Sequence, residues 1–522
     1  MKGKKIMSLF LAVSLVALTA CGGAKDSGQK TSNIKEGGTL ILAAGGDPNV
    51  LNPMYGNDRV TMTINNSLYA PLFEKVNGKI KYYLAEDFKV SDDYLTYTIK
   101  LKKDLKWHDG TLITADDIVF TVDKITDEKQ NCMSRPDYFI DDKKVEYKKV
   151  DDQTIEFKLQ KVSMAFEGVL EGIRPIPKHV FEGEEDIAKS NKNEKPVGSG
   201  PYKFKEAKKG ESVTLEKFDD YVDGKPHIDS VVFRVIPDAN ASNTALLNGE
   251  ISAKYLKAQD VEKFKEKTNI VTYSEGMLNY IVFNFNNKSV AKPEVRKAMA
   301  YALNKDELLK AGNISTEFAD TASSVFTPDT QYYTDDVEKY GYNLDKAKEL
   351  MTKSGEKDLK LRLAYVNGIK DEEAEVLVIQ QKLKDIGINI ELIPMELNAF
   401  IQKLYSMNEN NDFDLALNGY VMGSEPDSYK SIFITNDGNN VSNYSNKELD
   451  PLWAKANLET DKIKREAIYK ELQQRMADEL PLYPMVYPKS MVGVDKKIGG
   501  TEEARPAPIY MFRDLSKLYF TE

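Results

Sequence analysis

The chain has 522 residues, 41% hydrophobic and 30% charged, enough to bury a large core in about three or four domains and too apolar for a disordered or collagen-like chain. Lys and Arg number 72 against 82 Asp and Glu, a net charge of -10 with no basic tail to meet phosphates, which argues against nucleic acid as a partner. Three histidines and two cysteines leave little material for metal centres or a disulfide framework.

Residues 1–20 open with Lys2, Lys4 and Lys5 and pass into an apolar run over residues 6–18, the pattern of an export signal. The run is short of the roughly 20 apolar residues a permanent span needs. It closes on Leu18-Thr19-Ala20-Cys21, which resembles a bacterial lipoprotein processing box. That resemblance implies that Cys21 becomes the lipidated N-terminus, anchored through acyl chains to the outer face of the cytoplasmic membrane or on the periplasmic side. Residues 21–36 then read as a flexible tether, with order beginning near Gly37. Cys132 is left as the remaining thiol and reads as a buried small hydrophobe.

Gly38-Thr39-Leu40-Ile41-Leu42 predicts a first strand, and Tyr97, Ile99 and Leu101 alternate with polar residues in the period of a half-buried strand. Asp109-Gly110 marks a turn. Thr114, with Asp117 three residues on, approximates a capping box and predicts a helix through Ile118-Val119-Phe120. Residues 151–159 read as another strand. Val295, Ala298, Met299, Ala302 and Leu303 fall at helical spacing behind Pro293, and residues 343–353 predict a helix closed by Gly355. Residues 359–366, 372–386 and 388–393 spell strand, helix, strand, a βαβ unit with parallel pairing.

Catalytic motifs are missing. Val197-Gly198-Ser199-Gly200 places its glycines next to the serine, whereas a nucleophile elbow needs them two residues away on each side. His108, His179 and His227 form no metal-ligand spacing, and Gly45-Gly46-Asp47-Pro48 lacks the lysine of a phosphate loop. An Asp437-Gly438 calcium loop would put Phe433, Thr435 and Tyr444 at ligand positions. Binding is the better reading, with no cofactor and no catalysis.

Several segments then accumulate in order: Leu51-Asn52-Pro53, Asn66-Ser67-Leu68-Tyr69-Ala70-Pro71-Leu72-Phe73, Leu84-Ala85-Glu86-Asp87-Phe88, Trp107-His108-Asp109-Gly110, Pro196-Val197-Gly198-Ser199-Gly200-Pro201-Tyr202 and Val295-Arg296-Lys297-Ala298. Together they resemble the family 5 extracellular solute-binding proteins, receptors of ABC importers. The resemblance implies an α/β, two-lobed periplasmic-binding-protein-like fold with a third subdomain inserted in lobe one. Lobe one is expected at residues 37–74, 196–283 and 490–522, the insert at 75–195 and lobe two at 284–489, with crossings near Phe283-Asn284 and Pro488-Lys489. It also implies an oligopeptide held in the cleft, lobes that close by hinge motion, an ABC permease as membrane partner and a monomer.

By the same resemblance, Tyr55, Gly56, Asn57, Asp58 and Arg59 lie on the lobe-one wall and Tyr255 points toward the cleft. Lobe two supplies Asn418, Gly419, Tyr420, Val421, Met422, Gly423, Ser424, Glu425 and Asp427, with Tyr420 where the family usually has tryptophan. Gly423 stands where the best-known peptide receptors carry an aspartate for the ligand amine, so Asp58, Glu425 or Asp427 are the alternative carboxylates; Asp427 also suits a helix cap after Pro426. Residues 365–369 contain no basic anchor for a dipeptide carboxylate, which favours a longer peptide held through its middle. Within the family, a nickel chelate or an oligosaccharide is the alternative ligand. Outside it stand a surface hydrolase and an adhesive lipoprotein.

Overall fold

The computed structural model describes residues 34–76, 78–406 and 412–522. The export signal, most of the tether and the lipidation expected at Cys21 lie outside the described residues. Among the described residues no helix is long and apolar enough to cross a membrane.

A sheet of twelve strands runs through both lobes, and the fourteen-residue strand Leu482–Asp495 is its seam. The second half of this strand pairs with Ala253–Leu256 and Thr268–Ser274, on the lobe-one side. Its first half pairs with Met277–Phe283 and Ala319–Thr321, on the lobe-two side. The strand thus exchanges one set of partners for the other near Pro488-Lys489. A second change of partners lies at Glu275-Gly276, because Met277–Phe283 pairs along its whole length with Leu415–Val421. A run of apolar residues announces a strand, and only its partner decides which lobe it joins. Gly276 makes this crossing with φ of 61°, and a Cβ there would meet Pro508 at 3.1 Å.

Lobe one continues the sheet through Thr39–Ala44, parallel to Ser230–Val235. In lobe two Leu359–Val366 and Ile388–Met395 are parallel and joined by the helix Lys370–Lys384, so the βαβ unit forms as the spacing predicts. Apolar clusters cover both faces of the lobe-two sheet, one including Val376, Ile379 and Leu383, the other built around Trp453 and Tyr469. Helix ends follow their caps: Pro293 opens Pro293–Ala302, Asn343 caps Leu344–Ser354, and Gly355 closes that helix at φ of 76°.

The insert carries a four-stranded antiparallel sheet in the order Ala85–Val90, Thr96–Leu101, Thr154–Lys158, Glu146–Asp151. Tyr97, Ile99 and Leu101 are buried, as their alternation requires. Both hydrogen bonds of the Thr114/Asp117 capping box are present at the head of Ala115–Thr126. The strand expected over residues 151–159 is instead the second arm of a hairpin. Asp151 ends Glu146–Asp151, and its side chain accepts the Gln153 N–H at 2.8 Å in the turn. The first arm is hidden in the sequence by Lys148 and Lys149, whose ammonium groups pair with Glu156 at 2.8 Å and Asp116 at 2.6 Å.

Order also begins earlier than Gly37. Ile34–Lys35 pairs with the C-terminal strand Tyr519–Thr521, which supplies backbone partners to a segment lacking any periodicity of its own. Lobe one and the insert share one apolar core. They are also tied by a buried ion cluster: the Glu74 carboxylate accepts from Arg513 Nε at 2.7 Å, Arg505 at 3.2 Å, Arg174 at 3.4 Å and the Tyr83 hydroxyl at 3.2 Å.

The Gly198-Ser199-Gly200 segment is a packing turn. Ser199 and Gly200 both donate backbone N–H groups to the Leu68 carbonyl, at 2.9 and 2.8 Å, and the Ser199 hydroxyl accepts from Ala70 N–H at 3.2 Å. His108 closes the turn, its Nδ1 accepting from Gly198 N–H at 3.1 Å and its Nε2 donating to the Gly200 carbonyl at 3.0 Å. Burial lowers this imidazole to about 4, so it stays neutral and keeps the acceptor the turn needs.

Candidate ligand-binding cleft

A cavity of about 1090 Å³ lies between the lobes. Its wall on lobe two comes from Met277–Phe283, Leu415–Val421 and the helices Lys370–Lys384 and Leu397–Tyr405. Lobe one faces it with Asn57, Leu256 and Lys257, and the insert with Met133, which is 81% exposed.

Of the expected residues, Asn57, Asn418, Gly419 and Tyr420 line this space. The Asn418 amide donates to the Tyr280 hydroxyl at 2.8 Å. Gly419 sits opposite Asn279 in the strand pair, and a Cβ there would overlap the Asn279 amide oxygen. That oxygen is buried and has no hydrogen-bond partner among the described residues, while the Asn279 residue borders the cavity. A buried acceptor left unpaired costs about 1–3 kcal/mol. Tyr420 is half-buried, and burial holds its hydroxyl far above the ordinary tyrosine range, so it acts as a neutral aromatic face with a polar tip.

Another part of the lobe-two wall is apolar. Leu397, Ile401 and Tyr405, four residues apart on Leu397–Tyr405, are 48%, 44% and 56% exposed. The spacing was present in the sequence, but a helical apolar stripe ordinarily means core. Here the stripe faces open space. Neither tryptophan shares that space: Trp107 and Trp453 are fully buried in the cores and offer no platform to a sugar.

The remaining expected residues are held by the protein itself. Asp58 caps the helix Arg59–Leu68, accepting from Thr61 N–H at 2.9 Å and from the Asn49 amide at 2.8 Å, so its carboxylate is used locally. Tyr55 donates to Gln130 at 3.2 Å in the insert, and a Cβ on Gly56 would meet Asn65 at 2.9 Å. Val421 pairs with Met277, Met422 is buried with its N–H on the Gly276 carbonyl at 2.6 Å, and the carbonyls of Gly423 and Ser424 accept from Thr330 and Gln331 at 3.1 and 2.9 Å. Glu425 pairs with Arg465 at 2.7 Å and caps the turn Pro426–Tyr429, the role considered for Asp427. Asp427 is half-buried, with one oxygen enclosed and without a partner, and burial raises its carboxyl to about 6. None of the three carboxylates lines the cavity.

Arg59 and Tyr255 meet at the lobe crossing. The guanidinium lies 4.6 Å from the Tyr255 ring centre and pairs with the buried Glu275. Glu275 also accepts from Ser490 on the second crossing strand and from Ile509 N–H at 3.1 Å, while the Tyr255 hydroxyl donates to the Ile509 carbonyl at 3.0 Å. One carboxylate thus ties both interlobe connections together. Glu275→Ala is expected to cost about 2 kcal/mol and to raise hydrogen exchange at residues 274–277. Unchanged protection there, measured by mass spectrometry, would show that the carboxylate does not hold the crossing.

The family of bacterial extracellular solute-binding proteins, family 5 (middle), matches residues 79–442. The oligopeptide-binding protein AppA of Bacillus subtilis (strain 168) is 31% identical, covering 96% of each chain. The crystal structure of the ABC transporter substrate-binding protein CtaP from Listeria monocytogenes superposes with a TM-score of 0.91 at 47% identity, covering 94% of this chain and all (100%) of that one. Bacillus subtilis AppA in complex with a nonapeptide gives a TM-score of 0.78 at 29% identity, covering 94% and 100%. With the cleft, the crossings and the inserted sheet in place, the chain belongs to the family 5 extracellular solute-binding proteins, two-lobed receptors of ABC transporters and not enzymes.

Proposed function

We propose that this protein captures oligopeptides in the interlobe cleft and delivers them to an ABC permease. The observation that carries this reading is the interlobe cavity of about 1090 Å³ with amide side chains on its floor, at the upper end of the roughly 300–1,000 Å³ of small-molecule sites. Asn279, Asn418 and Asn57 offer amides suited to a ligand backbone that is the same in every peptide, and the apolar stripe of Leu397–Tyr405 offers room for variable side chains. Bacillus subtilis AppA, a relative named for oligopeptide binding and solved with a nonapeptide, supports the same ligand class. Closure follows from ligand contacts with both lobes, since only differential affinity for the closed state shifts the hinge. In this reading Cys21 carries the lipid that holds a monomer at the outer face of the cytoplasmic membrane, and the permease meets the closed lobes.

Native mass spectrometry of a lipid-free chain starting at Gly22, before and after mild unfolding, tests it: a ladder of peptide masses is expected. A single non-peptide mass would overturn the ligand assignment. Tyr420→Ala should weaken the released peptides by about tenfold in calorimetry, from loss of an aromatic face. An unchanged affinity would remove Tyr420 from the site.

A further inference from the structure

At one end of the cleft the first turns of Lys370–Lys384 bring Asp371, Glu372 and Glu375 to the cavity, beside Gly312 and Asn313 of the helix Lys305–Asn313. Glu375 stands on the buried face of its helix, in the stripe with Val376, Ile379 and Leu383 where an apolar residue belongs. It is 3% exposed and makes no hydrogen bond or ion pair among the described residues, yet it lines the cavity. Gly312 makes the room: a Cβ there would overlap the Glu375 carboxylate.

The neighbouring charges are committed elsewhere. Glu372 accepts from Val366 N–H at 3.0 Å, Glu373 from Gly368 N–H at 2.9 Å, Lys382 pairs with Glu307 at 2.7 Å, and Lys489 pairs with Asp320 at 2.9 Å. Lys305 donates to the Ala322 carbonyl at 2.5 Å. Lys257, across the cleft on lobe one, faces Asp371. Burial, reinforced by Glu372 and Asp371, raises the Glu375 carboxyl to about 8, so it is mostly neutral until a cation approaches. An unpaired carboxylate in an otherwise apolar stripe destabilises the fold, and its presence in a ligand cavity calls for a positive partner. Among the described residues no group of three potential ligands is arranged to hold a metal ion, so the partner is an organic cation.

We propose that Glu375 and Asp371 form a cation subsite that binds a primary ammonium or guanidinium of the bound peptide, giving the receptor a preference for basic peptides. The subsite rests on the oligopeptide reading above. Glu375 takes the ligand cation by direct hydrogen bonds and gives up its proton to solvent, while Asp371 screens the entrance.

The test is calorimetry with a hexapeptide series in which a single lysine, arginine or alanine occupies each position in turn, each with a free or acetylated N-terminus. The expected result is a preference for the basic peptide over the alanine peptide of at least about tenfold at one or more positions. Proton release on binding near neutral pH should accompany it, read from buffers of different ionisation enthalpy. In Glu375→Gln the basic-to-alanine affinity ratio should fall to near one, and Asp371→Asn, on the exposed end of the helix, should lower it partially. The preference should follow the lysine or arginine and survive acetylation, because the terminal amine is common to the basic and alanine peptides and favours neither. Equal binding of basic and alanine peptides, or a preference that survives Glu375→Gln, would overturn the subsite while leaving peptide capture intact. Binding of no peptide at all would overturn both.

Discussion

Replacing Glu74 by glutamine is expected to lower stability by about 3 kcal/mol at pH 7 and to remove this group's share of the acid sensitivity between pH 5 and 2. Burial alone would raise this carboxyl, but Arg513, Arg174 and Arg505 outweigh it and hold Glu74 at about 2, against 4.5 in the unfolded chain. Because the folded state binds its proton less readily, the carboxylate contributes fully above about pH 4.5, and the contribution fades as pH falls toward 2. Glutamine leaves three guanidinium groups, with relative exposures of 14%, 23% and 21%, without their shared counter-charge. Urea midpoints for both proteins at pH 7 and pH 3 measure the effect: the gap should be wide at neutral pH and narrow in acid. A gap of equal width at both would show that the cluster is held by packing instead of charge. The consequence reaches the cleft, since Arg505 and Arg513 fix the segment whose Ile509 holds Glu275, Arg59 and Tyr255 at the crossing.

Gly198→Ala is expected to cost about 3–5 kcal/mol, enough to prevent accumulation of folded protein at 37 °C. The added methyl would overlap the Leu68 carbonyl oxygen and come within 2.8 Å of its carbon, with His108 at 3.1 Å on the other side. Leu68 cannot withdraw, because that oxygen accepts from both Ser199 and Gly200. Moving it breaks two buried hydrogen bonds and loosens the junction between insert and lobe one. Gly341→Ala is the control, since nothing lies within 4 Å of its Cβ position and the change should be neutral or slightly stabilising. Thermal unfolding of the two variants side by side decides it, and equal midpoints would show that the turn relaxes without penalty.

Local physics was legible before any coordinates. Thr114 with Asp117, Pro293, and Asn343 with Gly355 each mark a helix end through hydrogen bonds made within a few residues, and each helix begins or ends there. The alternation of Tyr97, Ile99 and Leu101 and the strand, helix, strand pattern from residue 359 needed only hydrophobic periodicity. The family motifs carried the two-lobed architecture and the location of Asn418, Gly419 and Tyr420. Asp58 is a near miss of the same kind: an aspartate three residues before Thr61 is a cap signal, and it outranked the cleft.

What lay beyond the sequence depends on partners distant in the chain. Glu425 has the chemistry of an amine anchor, but Arg465, on a different helix, occupies it, and Met277–Phe283 joins lobe two only through its pairing with Leu415–Val421. The stripe of Leu397, Ile401 and Tyr405 and the carboxylate of Glu375 have the spacing of core residues, and the cavity they line exists only once two lobes face each other. The sequence by itself determined the strongly periodic elements and several of their caps, because those follow from short-range hydrogen bonding and periodic burial, and its motifs carried the receptor family. Which polar groups are consumed within the fold and which remain for a ligand was decided by the tertiary structure alone, because satisfaction of a charge or an amide is a property of everything packed around it.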